Sequence, residues 1–139
     1  MNSVQHVCNY AFLRFQPYEE TGEFVNVAAV GYCPDLRWFG FAYDGAIVRQ
    51  RVTQFFPGVK TETFLWQMGA MLHELERVRD LLANTDVGMG GRVFQELIRH
   101  RQSAMRFSEV RTALTNDPEA LLQRAGEPSQ RQGATLVSG

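Results

Sequence analysis

His73-Glu74 opens like a zinc-protease helix, in which two histidines one turn apart hold the metal and the glutamate serves as general base. The second histidine would stand at position 77, and Arg77 is there instead, so that site lacks a ligand. Cys8 and Cys33 lie in separate apolar segments, with no C-x-x-C pair and no Cys/His cluster at zinc spacing. They are expected to be reduced, partly buried thiols that pack as small hydrophobes. The glycines of Asn84–Gly91 (NTDVGMGG) could cradle a phosphate. No Gly-Lys-Ser/Thr follows them and no strand-to-helix context frames them, so a plain connection is the expectation. No metal and no cofactor is expected. The basic side chains are 13 Arg to a single Lys. Guanidinium suits planar, bidentate recognition of carboxylate or phosphate, although genome base composition produces the same bias.

The elements that position such groups must come from one domain of ordinary size, since the chain has 139 residues. Apolar residues make up 45% and charged residues 21%, close to the globular average, which argues against wholesale disorder. No run approaches the roughly 20 apolar residues of a membrane helix. The start MNSVQHVCNY lacks the basic and apolar regions of a secretory signal. A soluble cytoplasmic protein with no membrane association is expected. The net charge of -1 divides into -3 over residues 1–91 and +2 over 92–139. That asymmetry is too small for an electrostatic nucleic-acid binder, which carries a basic stripe.

Val7 to Phe15 (VCNYAFLRF) is aromatic and apolar and stops at Pro17, as a strand does. Glu23 to Cys33 (EFVNVAAVGYC) is a second strand after a polar connection, and Leu36 to Tyr43 (LRWFGFAY) a third. These three form an antiparallel meander. Ala46 to Phe56 is either a short helix or a fourth strand. Thr61 to Ala83 is a long amphipathic helix: Phe64, Leu65, Met68, Met71, Leu72, Leu75, Val78 and Leu82 recur at helical spacing. Glu62, His73, Glu74, Glu76, Arg77 and Asp80 are left toward water. Arg92 to Arg99 is a short helix, and Ala104 to Leu114 an extended stretch able to add a strand. Asn116 or Asp117 caps a final helix to about Ala125, with Pro118 in its first turn. The fold class is therefore α+β, an antiparallel sheet packed by the long helix, with one domain over residues 1–125. Residues 126–139 have the composition of a disordered tail.

A hairpin register follows from burial. With Arg14 opposite Asn26, Phe12 meets Ala28 and Tyr10 meets Val30 on one face. The other face then holds Ala11, Leu13, Phe15, Val25, Val27 and Ala29, wholly apolar, and the long helix must cover it. A one-residue slip would carry Arg14 into that apolar face.

Tyr10-Ala-Phe-Leu-Arg14, Gly22-Glu23-Phe24-Val25-Asn26-Val27 and Tyr32-Cys33-Pro34 together resemble the opening of the bacterial family catalogued as domain of unknown function 3037. The run from Phe94 through Arg101 and Ser103 to Ser108-Glu-Val-Arg111-Thr112, then Leu114-Thr115-Asn116-Asp117-Pro118-Glu119, is similar to its closing segment. The matches keep their order over most of residues 7–125. Two departures stand out: the family pattern has Gly after the Asn-Val pair and after Val-Arg-Thr, where this chain has Ala28 and Ala113. A glycine lets a ligand or a backbone come close, so alanine there narrows such a site. The family has no settled activity. The resemblance implies a protein partner, since members are often encoded beside a HipA-like kinase.

The polar residues inside the matching motifs are Arg14, Glu23, Asn26, Arg101 and Arg111. A purely structural role suffices for them, as half-buried polar groups must be hydrogen-bonded whatever the function. The functional alternative is a binding patch on the sheet face away from the long helix, with the arginines holding phosphate or carboxylate and Asn26 orienting it. Three functions follow. The first is a non-catalytic binding or regulatory accessory protein, partnered with a HipA-like kinase. The second is a nucleic-acid binder that uses Tyr10, Phe12, Trp38 and Tyr43 as an exposed stacking surface. The third is a small hydrolase or transferase built on Arg14, Glu23 and Asn26. Catalysis has the least support, because Glu23 is the only acid in the patch and neither Ser103 nor Ser108 has an evident base.

Overall fold

The computed structural model describes residues 4–99, 101–102 and 104–126, with the backbone alone at Val87, Arg101 and Gln102. The tail expected at 126–139 lies, beyond Gly126, outside the described residues. Three strands, β1 (His6–Phe15), β2 (Val25–Cys33) and β3 (Trp38–Ala42), form the meander. A 3-10 turn at Pro34–Leu36 separates the last two. The stretch after the long helix supplies β4 (Arg101–Gln102), β5 (Met105–Phe107) and β6 (Arg111–Thr115). All pairings are antiparallel, in the order β3-β2-β1-β5-β4, with β6 also on β1.

The ten-residue β1 is thus central, and two short strands share its second edge. β6 pairs with His6–Tyr10 and β5 with Leu13–Phe15. Ser108 closes the gap between them. The Phe12 N–H donates to Ser108 Oγ at 2.9 Å, and the Ser108 N–H donates to the Phe12 carbonyl at 2.8 Å. Ser108→Ala should cost about 1–3 kcal/mol in denaturant unfolding, because the buried Phe12 N–H loses its acceptor. A loss under about 0.5 kcal/mol would show that this clasp is redundant.

The hairpin register agrees with expectation at one end only. Arg14 does lie opposite Asn26, but a bulge between Leu13 and Arg14 leaves Val27 as the extra residue. Beyond it Leu13 meets Ala28, Phe12 meets Ala29 and Tyr10 meets Gly31, not Ala28 and Val30 as expected. Ala29 consequently faces away from the long helix and packs with Phe12 and Leu122. The physical reason is volume. The bulge sends Val30 and Tyr32 into the main core, and it leaves only Ala29 and Gly31 where a second helix comes close. A Cβ on Gly31 would stand 3.1 Å from Leu122 Cδ2.

The ambiguous segment after β3 is a helix, α1 (Gly45–Phe55), capped by Asp44, whose Oδ1 accepts from the Ile47 N–H. The long helix α2 spans Thr61–Ala83 as its periodicity requires. Phe64, Met68, Met71, Leu75, Val78 and Leu82 are buried along one stripe. Leu72 is half-buried between two core clusters, and Leu65 is exposed, contrary to its place in the expected stripe. The helix expected from Arg92 begins earlier: α3 runs Val87–Arg99, nucleated by Asp86, whose Oδ1 accepts from the Met89 N–H. Gly90 within it is a close approach rather than a hinge, since any Cβ there would strike the Tyr32 hydroxyl. Helices α1, α2 and α3 all pack on the face carrying Ala11, Leu13, Phe15, Val25, Val27 and Val30. The last helix, α4 (Pro118–Ala125), has Asp117 as N-cap, Oδ1 accepting from the Ala120 N–H. It lays Leu122 and Ala125 on the opposite face, over Phe12 and Ala29. That face, expected to be open, is therefore partly covered.

Candidate functional site

Cross-strand pairing gathers the arginines. Asn26 on β2 lies opposite Arg14 on β1, Arg14 lies opposite Arg106 on β5, and Arg106 opposite Arg101 on β4. Arg111 on β6 joins the same face, opposite Tyr10. Like charges facing each other across strands destabilise a sheet, so this row needs compensation. Arg106 finds some in Glu19, at 2.9 Å. The Arg14 guanidinium lies 4.0 Å over the Phe24 ring, and Arg111 lies 5.8 Å over Phe12. Burial, with Arg111 beside it, pulls the Arg14 guanidinium below its ordinary value, and Glu109 partly offsets this. Arg14 Nε, Arg106 Nε and Asn26 Oδ1 are buried and have no hydrogen-bond partner. Each is a polar atom withdrawn from the surface and left without a partner among the described residues.

Of the five residues singled out in the sequence, Arg14, Asn26 and Arg111 share this face, and Arg101 holds a register position in the same row. Glu23 is exposed before β2, its backbone N–H donating to Thr21 Oγ1, and no hydrogen bond or ion pair joins it to Arg14 or Asn26. Ser108 is committed to β1, and Ser103 lies outside the described residues. The four rings considered as a stacking platform are not a bare surface. Phe12 is buried beneath α4, Tyr10 and Trp38 pack against the same cluster, and Tyr43 packs on the main core. Arg106 was not among the sequence candidates. Its signal was available in the alternation Met105-Arg106-Phe107, which places the arginine opposite in sense to two core-facing neighbours.

A cavity of about 290 Å³ opens between the sheet, the start of α1 and the end of α4. Phe12, Val27 and Ala28 form its apolar wall, and Asn26, Tyr43 and Arg51 bring polar groups to it. Arg51 is the second residue that sequence reasoning missed. It stands three after Val48 and one before Val52 on the buried stripe of α1, where an apolar residue would be ordinary. Ala28 lines the cavity, whereas Ala113 pairs with Cys8 in the sheet. Both cysteines are free thiols and fully buried. Burial first, then the neighbouring Cys33, pushes the Cys8 thiol up to about 11. Among the described residues no helix is long and apolar enough to cross a membrane. No group of three or more His, Cys, Asp or Glu among them could hold a metal ion.

No curated protein and no solved structure matches the chain. One family model does, over residues 10–126, and its description is "Protein of unknown function (DUF3037)". That span takes in β2 to β6 and β1 from Tyr10 onward, with the arginine row, the cavity and α4, and so the chain belongs to the DUF3037 family.

Proposed function

We propose that this chain is a non-catalytic binding protein of the cytoplasm that regulates a protein partner, with the arginine row as its contact surface. The observation that carries the reading is the row itself: Arg14 and Arg106 face each other across strands and keep buried, unpartnered Nε atoms. An acidic segment of a partner supplies the missing acceptors and relieves the mutual repulsion, through charge-assisted hydrogen bonds. A binding role is also supported by the way the candidate catalytic groups are used. Glu23 stands apart from Arg14 and Asn26, and Ser108 ties the sheet together. The family resemblance supplies the first partner to try, the HipA-like kinase encoded beside such members.

The test mixes the purified chain with that kinase and follows complex formation. A complex is expected that withstands nuclease treatment and weakens as salt rises. Arg14→Ala and Arg111→Ala, each shown to be folded by thermal unfolding, should lower its affinity by about tenfold or more. Two folded variants that bind as well as the parent would remove the row as the contact surface. Failure of the two proteins to form a complex, tight binding of added RNA or DNA by the chain, or a reproducible activity abolished by Glu23→Gln would overturn the reading.

A further inference from the structure

Arg51 keeps only 7% of its surface exposed, and no hydrogen bond or ion pair holds it among the described residues. A guanidinium stays charged in a protein, and one on a largely covered side chain with no counter-ion gains from an anion that can reach it. Here it lines a cavity, and the same cavity holds Asn26, whose buried Oδ1 has no donor. One wall offers an unpaired planar cation, and Asn26 stands on another with its Oδ1 held just beneath the surface, among an apolar lining that includes Phe12, Val27 and Ala28. We propose that this cavity binds a small monocarboxylic acid that also carries an amino or hydroxyl group, its carboxylate on Arg51 and its N–H or O–H donor on Asn26 Oδ1.

The lining sets the class of ligand. A carboxylate matches the guanidinium fork with two parallel hydrogen bonds. Asp44 stands at the rim, its Oδ1 already accepting from the Ile47 N–H. Its negative charge opposes a dianion such as a phosphate monoester and suits a molecule with a cationic or neutral donor group. The volume of about 290 Å³ lies at the lower limit of ligand cavities, about 300–1,000 Å³, and selects a molecule of metabolite size. Burial alone depresses the Arg51 guanidinium, in keeping with a charge that has no counter-ion until a ligand arrives. This site goes beyond the partner-binding reading, since it requires no second protein.

The experiment uses the full chain alone. The standard α-amino acids and the corresponding α-hydroxy acids are tested at millimolar concentration for their effect on the thermal midpoint, then by calorimetry. Their primary amides and inorganic phosphate serve as the comparison. At least one acid is expected to raise the midpoint saturably, as linkage requires of a ligand of the folded state. Its amide and phosphate should have no effect, and Arg51→Gln should weaken binding by about tenfold or more. Should Arg51→Gln fail to fold, Arg51→Lys decides, because it keeps the charge and loses the planar fork. A comparable loss in the lysine variant supports the site, and unchanged affinity overturns it. A panel without any shift overturns it too, as does an amide that binds as tightly as its acid. The kinase experiment is untouched by any of these results, so the two readings fail separately.

Discussion

Replacing Phe15 by alanine should cost about 3–5 kcal/mol of folding stability, the largest loss expected of any single truncation here. Phe15 is 1% exposed and sits at the end of β1, where it pairs with Val25 on one side and Met105 on the other. Its ring meets Phe64 of α2 edge-on at 5.0 Å and Phe56 at 6.0 Å. One side chain therefore joins three strands to the long helix and to the segment that follows α1. Truncation loses its transfer energy and two aromatic contacts, and it leaves a cavity enclosed by elements that cannot all collapse into it. Urea unfolding of the variant measures the loss directly. A value below about 1.5 kcal/mol would mean that α2 does not seat on this end of the sheet.

Leu75→Ala is expected to cost about 2–5 kcal/mol. Leu75 is fully buried at the middle of α2, in the cluster that includes Ala11, Val30, Phe94 and Leu97. It links the sheet to α3 through the long helix. Leu65 and Trp66 on the same helix provide the control, at 37% and 74% exposure. Alanine at either should change stability by no more than about 0.5 kcal/mol. Equal losses at Leu75 and Leu65 would place the buried stripe of α2 on a different face.

Much of this arrangement is legible in the sequence, and the exceptions have identifiable causes. The 23-residue span of α2 follows from a stripe too long and too regular to be anything else. The meander follows from three aromatic runs punctuated by proline, glycine and aspartate. Alternation fixes the hairpin register at the Arg14–Asn26 end but not beyond it, because a bulge leaves no mark when all of Val27, Ala28, Ala29 and Val30 are apolar. Any register then buries apolar groups, and only the volumes of Val30 and Tyr32 against Ala29 and Gly31 choose between them. The start of α3 is hidden by its glycines, which disfavour a helix locally; at Gly90 Tyr32 leaves no room for a side chain, whereas a side chain at Gly91 would meet open space. Among the candidate residues, Arg14, Asn26 and Arg111 share a face because strand alternation carries them there. Arg51 stayed out of view while its segment was equally readable as strand or helix. Once α1 is known, an arginine within the Val48–Val52 stripe is the most conspicuous residue in the helix.

The clasp between Phe12 and Ser108 joins positions 96 residues apart, and that separation bears on the order in which the molecule assembles. β1, β2 and β3 are neighbours in sequence and can pair while the chain is still being made. The second edge of β1 has no partner until β5 and β6 have emerged, after the meander and the three helices that follow it. Loop closure over such distances is slow compared with hairpin or helix formation. Until then the growing chain presents an open strand of apolar and aromatic residues, the kind of edge along which copies of an unfinished chain adhere. The last strands thus serve the newborn chain as well as the finished one, since their arrival is what makes β1 safe.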